Sequence, residues 1–391
     1  MRALAVIDGE HYAPVIRDAF AALPYDFVGA LLVGGTEKLR GGEDYGVPLV
    51  SGLTDIDADV VVDLSDEPVL GPRARMQLAS RALALGLPYV GADFRFDPPA
   101  YAAFEVPSLA VIGTGKRVGK TAVTGHVARL LARERDVVVV AMGRGGPSEP
   151  ELVEVPPTMH ELLARSRGGA HAASDFLETA VLAGVRTIGC RRAGGGLAGR
   201  VFDSNVLAGA ELARASEPDV VLFDGSGAAI PPVATDARIL VSAARHDLNG
   251  YLNPYRVLVS DLIVLVGAEQ PAVRLAKDVP VLRVTLRLRP AEPIEGRVAV
   301  FTTGPAPTEH LDAEIVYVSR NLADRAALRE ELARVDAETF LVELKAAAID
   351  VVAEAAAARG ARIVLADNEV VPVDGDLDSA ILALVPEGVR A

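Results

Sequence analysis

The sequence predicts an α/β fold built on parallel sheets, and two observations support this prediction. Apolar runs of four to seven residues alternate with longer segments of helical period, as in βα units whose strands are buried on both faces. A glycine-rich stretch, residues 113–121, follows one of these runs and leads into a helical pattern. We therefore expect open sheets with helices between the strands, and a ligand-binding loop after one of the strands.

An N-terminal α/β domain is predicted for residues 1–105. Helices are expected near residues 14–22 and 73–85, and the proline-bearing segment 97–107 marks the boundary. The predicted strands are Ala3–Ile7, Phe27–Val33, Val60–Leu64 and Tyr89–Gly91. Together they make a small open sheet of their own.

A second unit, residues 106–290, contains the glycine-rich loop. Its predicted strands are Ser108–Ile112, Val137–Met142, Thr187–Cys190, Val220–Asp224, Ile239–Ser242, Leu262–Val266 and Val281–Leu286. The proline-bearing stretch 289–293 is predicted to be a second joint. A C-terminal α/β portion, 291–391, follows, with strands Arg297–Phe301, Glu314–Val318 and Arg362–Ala366 and helices near 322–333 and 341–358.

The glycine-rich loop has the composition and position of a phosphate-binding loop. It consists of Gly113, Thr114, Gly115, Lys116, Arg117, Val118, Gly119, Lys120 and Thr121. Backbone N–H groups in such a turn point at an anion. Lys120 would then reach the β/γ-phosphates of a nucleotide, with the hydroxyl of Thr121 on Mg²⁺. Thr114 stands where the common G-x-x-x-x-G-K-[ST] pattern has glycine. The alternative is a strand-to-helix turn that contains glycines by chance.

Lysine usage supports a specific role for this loop. Of 39 basic residues, five are lysines and 39 − 5 = 34 are arginines, yet two of the five lysines, Lys116 and Lys120, lie in this loop. A compact ammonium fits between phosphate oxygens where a guanidinium is too large. Lys116 is thus a candidate ligand, with a solvated loop residue as the alternative.

Composition and charge exclude several classes of protein. A net charge of −14 and a pI of about 5.0 argue against nucleic-acid and membrane-surface partners. The single cysteine, Cys190, excludes an internal disulfide framework and a cysteine-based zinc site. With no signal-peptide pattern and no apolar run long enough to span a bilayer, we expect a cytoplasmic protein.

Asp224 is the predicted metal-binding acid. It ends the apolar strand 220–224 and is followed by small residues, and an acid at that edge of a parallel sheet lies beside the phosphate loop. The alternative is an ordinary Asp-Gly turn.

Further candidates lie after other strands. Arg144, Arg191, Arg192 and Arg200 stand among glycines, and guanidinium groups bind phosphate or carboxylate oxygens in bidentate fashion. We expect them to hold an anionic substrate; the alternative is a mobile glycine-rich loop with solvated arginines. His11, after the first strand, is expected on the substrate side or between domains, or else in a turn whose polar side chains cap the next helix.

Taken together, these motifs resemble those of the cyclic 2,3-diphosphoglycerate synthetase family. They are Ile7–Tyr12, Thr114–Thr121, Met142–Pro147 and Asp224–Gly227, and the loop itself is also similar to that of dethiobiotin synthetases. The resemblance implies a P-loop NTPase core with a parallel sheet, flanked by the two smaller α/β portions. It implies ATP and Mg²⁺ as cofactors, 2,3-bisphosphoglycerate as the small anionic substrate, and its closure to a cyclic anhydride with release of ADP and phosphate.

Under this interpretation Lys120, Lys116 and Arg144 are the catalytic residues, and a homodimer is the default assembly. One alternative is a kinase, for example of 2-phosphoglycerate, or a carboxylate ligase acting on another small anion. A second is a regulatory or metal-delivery NTPase. Against the latter, the chain has no cysteine pair, no histidine-rich tract and only six scattered histidines.

Overall fold

A computed structural model describes residues 1–269 and 275–386 of the chain, and its α/β architecture confirms the predicted fold class. The N-terminal strands are β1 (Arg2–Ile7), β2 (Asp26–Leu32), β3 (Leu49–Val50), β4 (Val60–Asp63), β5 (Tyr89–Val90) and β6 (Arg95–Phe96). They form a sheet of order β3-β2-β1-β4-β5-β6, in which the β5–β6 pair is antiparallel and the other pairs are parallel. Helices α1 (Ala13–Ala22) and α2 (Pro72–Ala84) both have proline in the first turn. Proline lacks a backbone N–H, but the N–H groups of a first turn have no partner within the helix, so no helical hydrogen bond is lost.

A second sheet extends through the rest of the described chain. Its strands are β7 (Ser108–Gly113), β8 (Val137–Gly143), β9 (Glu151–Val153), β10 (Arg186–Ala193), β11 (Asp203–Ser204), β12 (Val220–Asp224), β13 (Ala237–Ala243), β14 (Leu262–Val266), β15 (Val281–Pro290), β16 (Arg297–Phe301), β17 (Glu314–Ser319), β18 (Thr339–Glu343) and β19 (Arg362–Pro372). Their order is β11-β10-β8-β12-β7-β13-β14-β15-β19-β18-β16-β17, with β9 beside β10.

Helices connect most of these strands. They are α3 (Lys120–Leu131), α4 (Met159–Arg167), α5 (Asp175–Ala183), α6 (Val206–Ala215), α7 (Asn253–Leu258), α8 (Arg325–Leu332), α9 (Glu354–Arg359) and α10 (Leu377–Leu382). A 3₁₀ turn spans Thr36–Lys38, and a π-helix, Ala348–Ala353, precedes α9. No helix within residues 1–269 and 275–386 is both long enough and apolar enough to cross a membrane.

The strands at the centre of the second sheet, which we call the middle strands, are buried on both faces, as the continuous apolar runs predict. They are β8, β12, β7, β13 and β14. Along β7, Ala110 and Ile112 enter the core on one face, while Leu109 and Val111 enter the core on the other. The first of these cores also contains Leu4 of the N-terminal sheet, and α2 packs against α7. The N-terminal unit therefore docks on one face of the large sheet.

Strand β15 joins the middle and C-terminal parts of the sheet. Its residues 281–284 pair in parallel with β14, and its residues 284–290 pair antiparallel with β19. Strand β18 is parallel to β19 and so runs opposite to β15. The C-terminal strands β16 and β18 thus point back toward the carboxyl edge of the middle strands.

One sequence prediction fails in this region. The helix predicted over 341–358 is wrong in its first part, because residues 339–343 form β18, which is buried between β16 and β19; helical structure begins only at Ala348. At the joint predicted for 289–293, Arg289 and Pro290 end β15 and pair with β19. Proline is tolerated at that strand end.

Candidate active site

The phosphate loop joins β7 to α3 at the carboxyl edge of the sheet. A Cβ on Gly113 would lie 2.9 Å from the carbonyl oxygen of Gly227, and one on Gly119, whose φ is 87°, would lie 2.8 Å from Cγ2 of Val266. Arg117 has a φ of 59°, a left-handed conformation that is strained for a residue with a side chain. The loop is therefore tightly wound, a shape in which backbone N–H groups can face an anion.

Thr114 fastens the start of this loop to the carboxyl end of β13. Its Oγ1 lies 2.9 Å from Oγ of Ser242 and 3.2 Å from Nδ1 of His246, and its N–H donates to the carbonyl of Val241 at 3.2 Å. These contacts explain why a hydroxyl side chain stands where the common pattern has glycine.

Lys120 and Asp224 are brought into direct contact. Lys120 is the first residue of α3 and is 8% exposed; its Nζ donates to Oδ1 of Asp224 at 2.5 Å. Thr124 donates to the same oxygen at 2.7 Å. Because β12 lies between β7 and β8, Asp224 sits at the centre of the sheet's carboxyl edge. The predicted phosphate lysine and the predicted metal acid thus share one site.

The second oxygen of Asp224 tests whether a metal fits there. Oδ2 is buried, and among the described residues it has no hydrogen-bond partner. Burial raises the pKa of Asp224, an effect that the ammonium of Lys120 opposes. Burying a carboxylate oxygen without a partner costs free energy, and a hard divalent cation such as Mg²⁺ is a suitable partner for it. The partly exposed Thr121 follows Lys120 in the first turn of α3, so the residues present fit Mg²⁺.

Three predicted cations gather beside this pair. Nη2 of Arg192 donates to the carbonyl of Ser226 at 2.9 Å, and a Cβ on Gly227 would lie 3.7 Å from that Nη2 and 4.0 Å from Cγ of Lys116. Burial lowers the pKa of Arg192, and the charge of Arg144 lowers it further. Lys116, Arg192 and Arg144 therefore lie close enough to raise the local positive potential, which attracts anions.

Arg144 lines a cavity of about 180 Å³ at the end of β8, next to the strand that carries Asp224. Gly143, Gly145 and Gly146 also line the cavity, as does Asp175 at the start of α5. A cavity of this size, with a guanidinium and glycine backbone on its wall, suits a small anionic group.

Comparison with known proteins places the chain in a family. Three family models match consecutive parts of it: the cyclic 2,3-diphosphoglycerate synthetase N-terminal domain over residues 2–97, the P-loop domain over 108–295 and the C-terminal domain over 290–369. The cyclic 2,3-diphosphoglycerate synthetase of Rubrobacter xylanophilus is 46% identical over 98% of this chain and 97% of that protein. The chain belongs to the cyclic 2,3-diphosphoglycerate synthetase family.

Other relatives agree. The cyclic 2,3-diphosphoglycerate synthetase of Thermococcus kodakarensis is 42% identical over 97% of this chain and 98% of that protein. The one from Pyrococcus furiosus is 39% identical over 97% of this chain and 97% of that protein. Among solved structures, LpxK from Aquifex aeolicus in complex with ATP is similar over 73% of this chain and 90% of that one, with a TM-score of 0.45 and 14% identity; so distant a likeness carries no argument. Membership of this P-loop synthetase family implies that the chain uses ATP.

In this cyclic 2,3-diphosphoglycerate synthetase family member, the other predicted arginines lie at the outer rim. The side chains of Arg191 and Arg200 are exposed. The N–H of Arg191 donates to Oδ1 of Asn205 at 2.7 Å, and the carbonyl of Arg200 accepts from Gly196 at 2.7 Å. These contacts order the backbone of the arginine loop, residues 190–200, and leave both guanidinium groups facing solvent.

His11 lies at the carboxyl edge of the N-terminal sheet. Its Nδ1 is 2.9 Å from Oδ1 of Asp8, and its Nε2 is 3.5 Å from Oδ2 of Asp66. Burial alone would raise the pKa of Asp8, but hydrogen bonds from the N–H of Asp66 and from His11 outweigh it and lower that pKa. Arg73, in the first turn of α2, pairs with Asp247 at 2.7 Å, and Asp247 adjoins His246 beside the phosphate loop. The structure thus links the N-terminal unit to the loop without placing His11 against it.

Sequence reasoning missed Asp175. It shares the cavity of Arg144, and its negative charge helps to raise the pKa of Asp224, so two carboxylates face the same region. Its position at the start of an apolar helix is an ordinary helix-start signal, so the sequence carried no specific sign of this role. Asp175 adds a second acid to the residues that could hold Mg²⁺.

Proposed function

We propose that this protein uses MgATP to close 2,3-bisphosphoglycerate into cyclic 2,3-diphosphoglycerate, with release of ADP and phosphate. The names of the relatives support this reaction, and family membership favours it over the kinase, carboxylate-ligase and regulatory alternatives. The observation that carries the proposal is the gathering of Lys116, Arg144 and Arg192 beside the Lys120–Asp224 pair. A site for nucleotide phosphate alone has no need of so many further cations.

The reaction divides into two phosphoryl transfers. An oxygen of one substrate phosphate attacks the γ-phosphorus of ATP; the bond to the β–γ bridging oxygen breaks, and ADP leaves. An oxygen of the second substrate phosphate then attacks the phosphorus of the first, and the transferred group leaves as inorganic phosphate. The new P–O–P bond closes the ring, and all atoms are accounted for.

Bringing anions together is the main barrier. Two unit charges 4 Å apart repel by about 4 kcal/mol at an effective dielectric of about 20, and each phosphate carries more than one charge. We assign Lys120 to the ATP β/γ-phosphates, Lys116 to the transferred group, and Arg144 and Arg192 to the substrate phosphates, with Arg191, Arg200 and His11 at the substrate entrance. Because the attacking phosphate oxygen is already ionised, positioning and charge neutralisation suffice without a strong base.

Thr121 and Asp224 would hold Mg²⁺, with Asp175 facing the same region. The ion, when bound, neutralises charge on the ATP phosphates and favours their in-line orientation. Lys120 pairs with Asp224, and we expect the lysine to turn toward the phosphates when MgATP enters.

The test is phosphorus NMR of the protein with MgATP and 2,3-bisphosphoglycerate. A cyclic anhydride resonance, together with ADP and inorganic phosphate, is the expected result. ADP with a new stable phosphoester would instead indicate a kinase, and hydrolysis of ATP with unchanged 2,3-bisphosphoglycerate would indicate a regulatory NTPase.

We also propose three domains, 1–105, 106–290 and 291–391, in a cytoplasmic homodimer. The three matched family models support this division. A chain with a single cysteine forms no internal disulfide, which suits a reducing compartment. Cys190 is buried, and burial raises the pKa of its thiol to about 12. Light scattering on the eluting protein tests the assembly: twice the chain mass of 40.9 kDa is expected, and a single chain mass would refute the dimer.

A further inference from the structure

Helix α7 carries a buried cation that no carboxylate compensates in the described part of the chain. Arg256 is 2% exposed, and all its described side-chain hydrogen bonds go to carbonyl or amide oxygens. Burial lowers its pKa to about 10, and nearby Tyr101 and Tyr255 oppose that shift. Arg256 thus stays charged at neutral pH, although an isolated buried charge is costly.

The acceptors of Arg256 come from three separate segments. Nη2 and Nε donate to the carbonyl of Ala228 at 2.6 and 3.1 Å, and Nη1 donates to the carbonyl of Leu197 at 2.9 Å. Nη1 also lies 3.4 Å from the carbonyl of Leu252 and from Oδ1 of Asn253. One planar guanidinium therefore ties together three stretches of backbone that are distant in sequence.

Each of these segments borders the candidate site. Ala228 follows Gly227, next to which Lys116 and Arg192 meet. Leu197 lies in the arginine loop, and Leu252 ends the segment that carries His246, the contact of Thr114. The two loops also bond directly, since Ile230 N–H donates to the carbonyl of Gly199 at 2.9 Å.

We propose that Arg256 is a positioning residue that holds these three segments around the substrate anion. This inference rests on the proposed function in that the anion is 2,3-bisphosphoglycerate. Its fixed hydrogen bonds set the spacing between the arginine loop and residues 224–229, and hence the position of Arg192, whose Nη2 donates to the carbonyl of Ser226. Its uncompensated charge adds to the positive potential under the anion, and a bound anion in turn offsets the cost of burying that charge.

The test is a calorimetric titration of 2,3-bisphosphoglycerate in the presence of MgADP. It compares the affinity of the wild-type full chain with the affinities of the Arg256→Met and Arg256→Lys variants. We expect Arg256→Met to weaken binding at least tenfold, about 1.4 kcal/mol. Arg256→Lys should lose less affinity for 2,3-bisphosphoglycerate, since lysine keeps the positive charge but lacks the planar set of donors of a guanidinium. The affinity for MgADP should change less than about threefold, because Arg256 contacts neither Lys120 nor the loop 113–121. Arg238→Lys is the matched control: this guanidinium stacks on Tyr101 at 4.6 Å, outside the three segments.

Equal affinity of wild type and both Arg256 variants for 2,3-bisphosphoglycerate would overturn the inference. If the wild type binds MgADP but no 2,3-bisphosphoglycerate, the proposed substrate is wrong, and hydrogen exchange then decides the role of Arg256. Faster amide exchange over residues 194–200 and 226–230 in Arg256→Met or Arg256→Lys would support positioning, and unchanged exchange would refute it.

Discussion

At the scale of single residues, the Lys120–Asp224 pair gives the sharpest prediction. Lys120→Ala removes the ammonium expected on the β/γ-phosphates, so kcat should fall by about 10²–10³ or more. It also leaves a buried carboxylate unpaired, a loss of about 3–5 kcal/mol of stability, so thermal unfolding should be recorded beside the steady-state rate. Lys277→Ala is the control, because Lys277 bonds the carbonyl of Ser260 and pairs with Asp261, just before β14 and so at the opposite edge of the sheet from the phosphate loop. A folded Lys120→Ala protein with wild-type kcat would contradict the assignment.

Arg144 predicts a different kinetic signature. Its side chain is exposed and lines the cavity beside Asp175, so Arg144→Ala should leave the fold intact. We expect KM for 2,3-bisphosphoglycerate to rise about tenfold or more, and KM for ATP to change little, since hydrogen bonds to charged groups contribute about 1.5–3 kcal/mol. Arg214→Ala, an exposed arginine paired with Glu211 at 2.7 Å, should leave both values unchanged. A rise in KM for ATP alone would place Arg144 on the nucleotide instead.

Residue roles were predictable where they depend on local pattern. The loop lysine and the strand-end acid follow from their neighbours in sequence, and the structure brings Lys120 and Asp224 together. Arg256 had no such signal, because its shortest hydrogen bonds go to Ala228 and Leu197, 28 and 59 positions away. Asp175 was missed for the same reason: only the fold places it near Asp224.

At the scale of elements, the winding of the phosphate loop is itself testable. Gly119 and Gly86 both have left-handed φ, 87° and 79°, but a Cβ on Gly86 meets open space, whereas one on Gly119 would lie 2.8 Å from Val266. Gly119→Ala and Gly86→Ala should each cost about 1 kcal/mol in backbone strain. Only Gly119→Ala should also displace the loop, weakening MgADP binding at least tenfold in a calorimetric titration. Equal affinities in the two variants would show that the contact with Val266 is relieved without moving the loop.

Elements were predictable where burial and period agree. The parallel strands β7, β12 and β14 are apolar on both faces and were found close to their observed bounds. Strand β18 is not predicted, because its five residues directly precede an alanine-rich run. The helix that this run predicts includes the last three residues of the strand. Burial between β16 and β19 decides the outcome there, and pairing partners that distant in sequence leave no local trace.

At the scale of the whole molecule, contacts between acidic and basic side chains tie the C-terminal part to the middle unit. Lys345 Nζ lies 3.4 Å from Glu178 on α5 and 3.7 Å from Glu343 at the end of β18. Arg129 on α3 pairs with Asp367 on β19 at 2.9 Å. The sequence could not predict this docking, because it follows from the change of partner along β15. Both α3 and α5 begin at the candidate site, so the C-terminal part buttresses the helices that carry Lys120 and Asp175.

Glu178 makes this buttress sensitive to pH. Burial raises the pKa of Glu178 from its ordinary 4.5 to about 7, although the charge of Lys345 opposes the shift. Between those values the folded chain holds a proton that the unfolded chain has released, so this group makes stability fall as pH rises through the window, by up to about 3 kcal/mol. Glu178→Gln resembles the protonated form and should lose this slope. The free energy of unfolding of Glu178→Gln minus that of the wild type should therefore be larger at pH 8 than at pH 5.

The matched control for Glu178 is Glu354→Gln, because Glu354 also joins the two parts of the chain. It pairs with Arg167 at 2.7 Å, and this hydrogen-bonded pair lowers the pKa of Glu354 below 4.5. That carboxylate is charged in both folded and unfolded chains between pH 5 and 8, so Glu354→Gln should shift stability equally at every pH in that range. Denaturant unfolding at pH 5, 6, 7 and 8 checks both variants. Parallel curves for wild type and Glu178→Gln would show that Glu178 stays ionised in the folded protein, with Lys345 outweighing its burial.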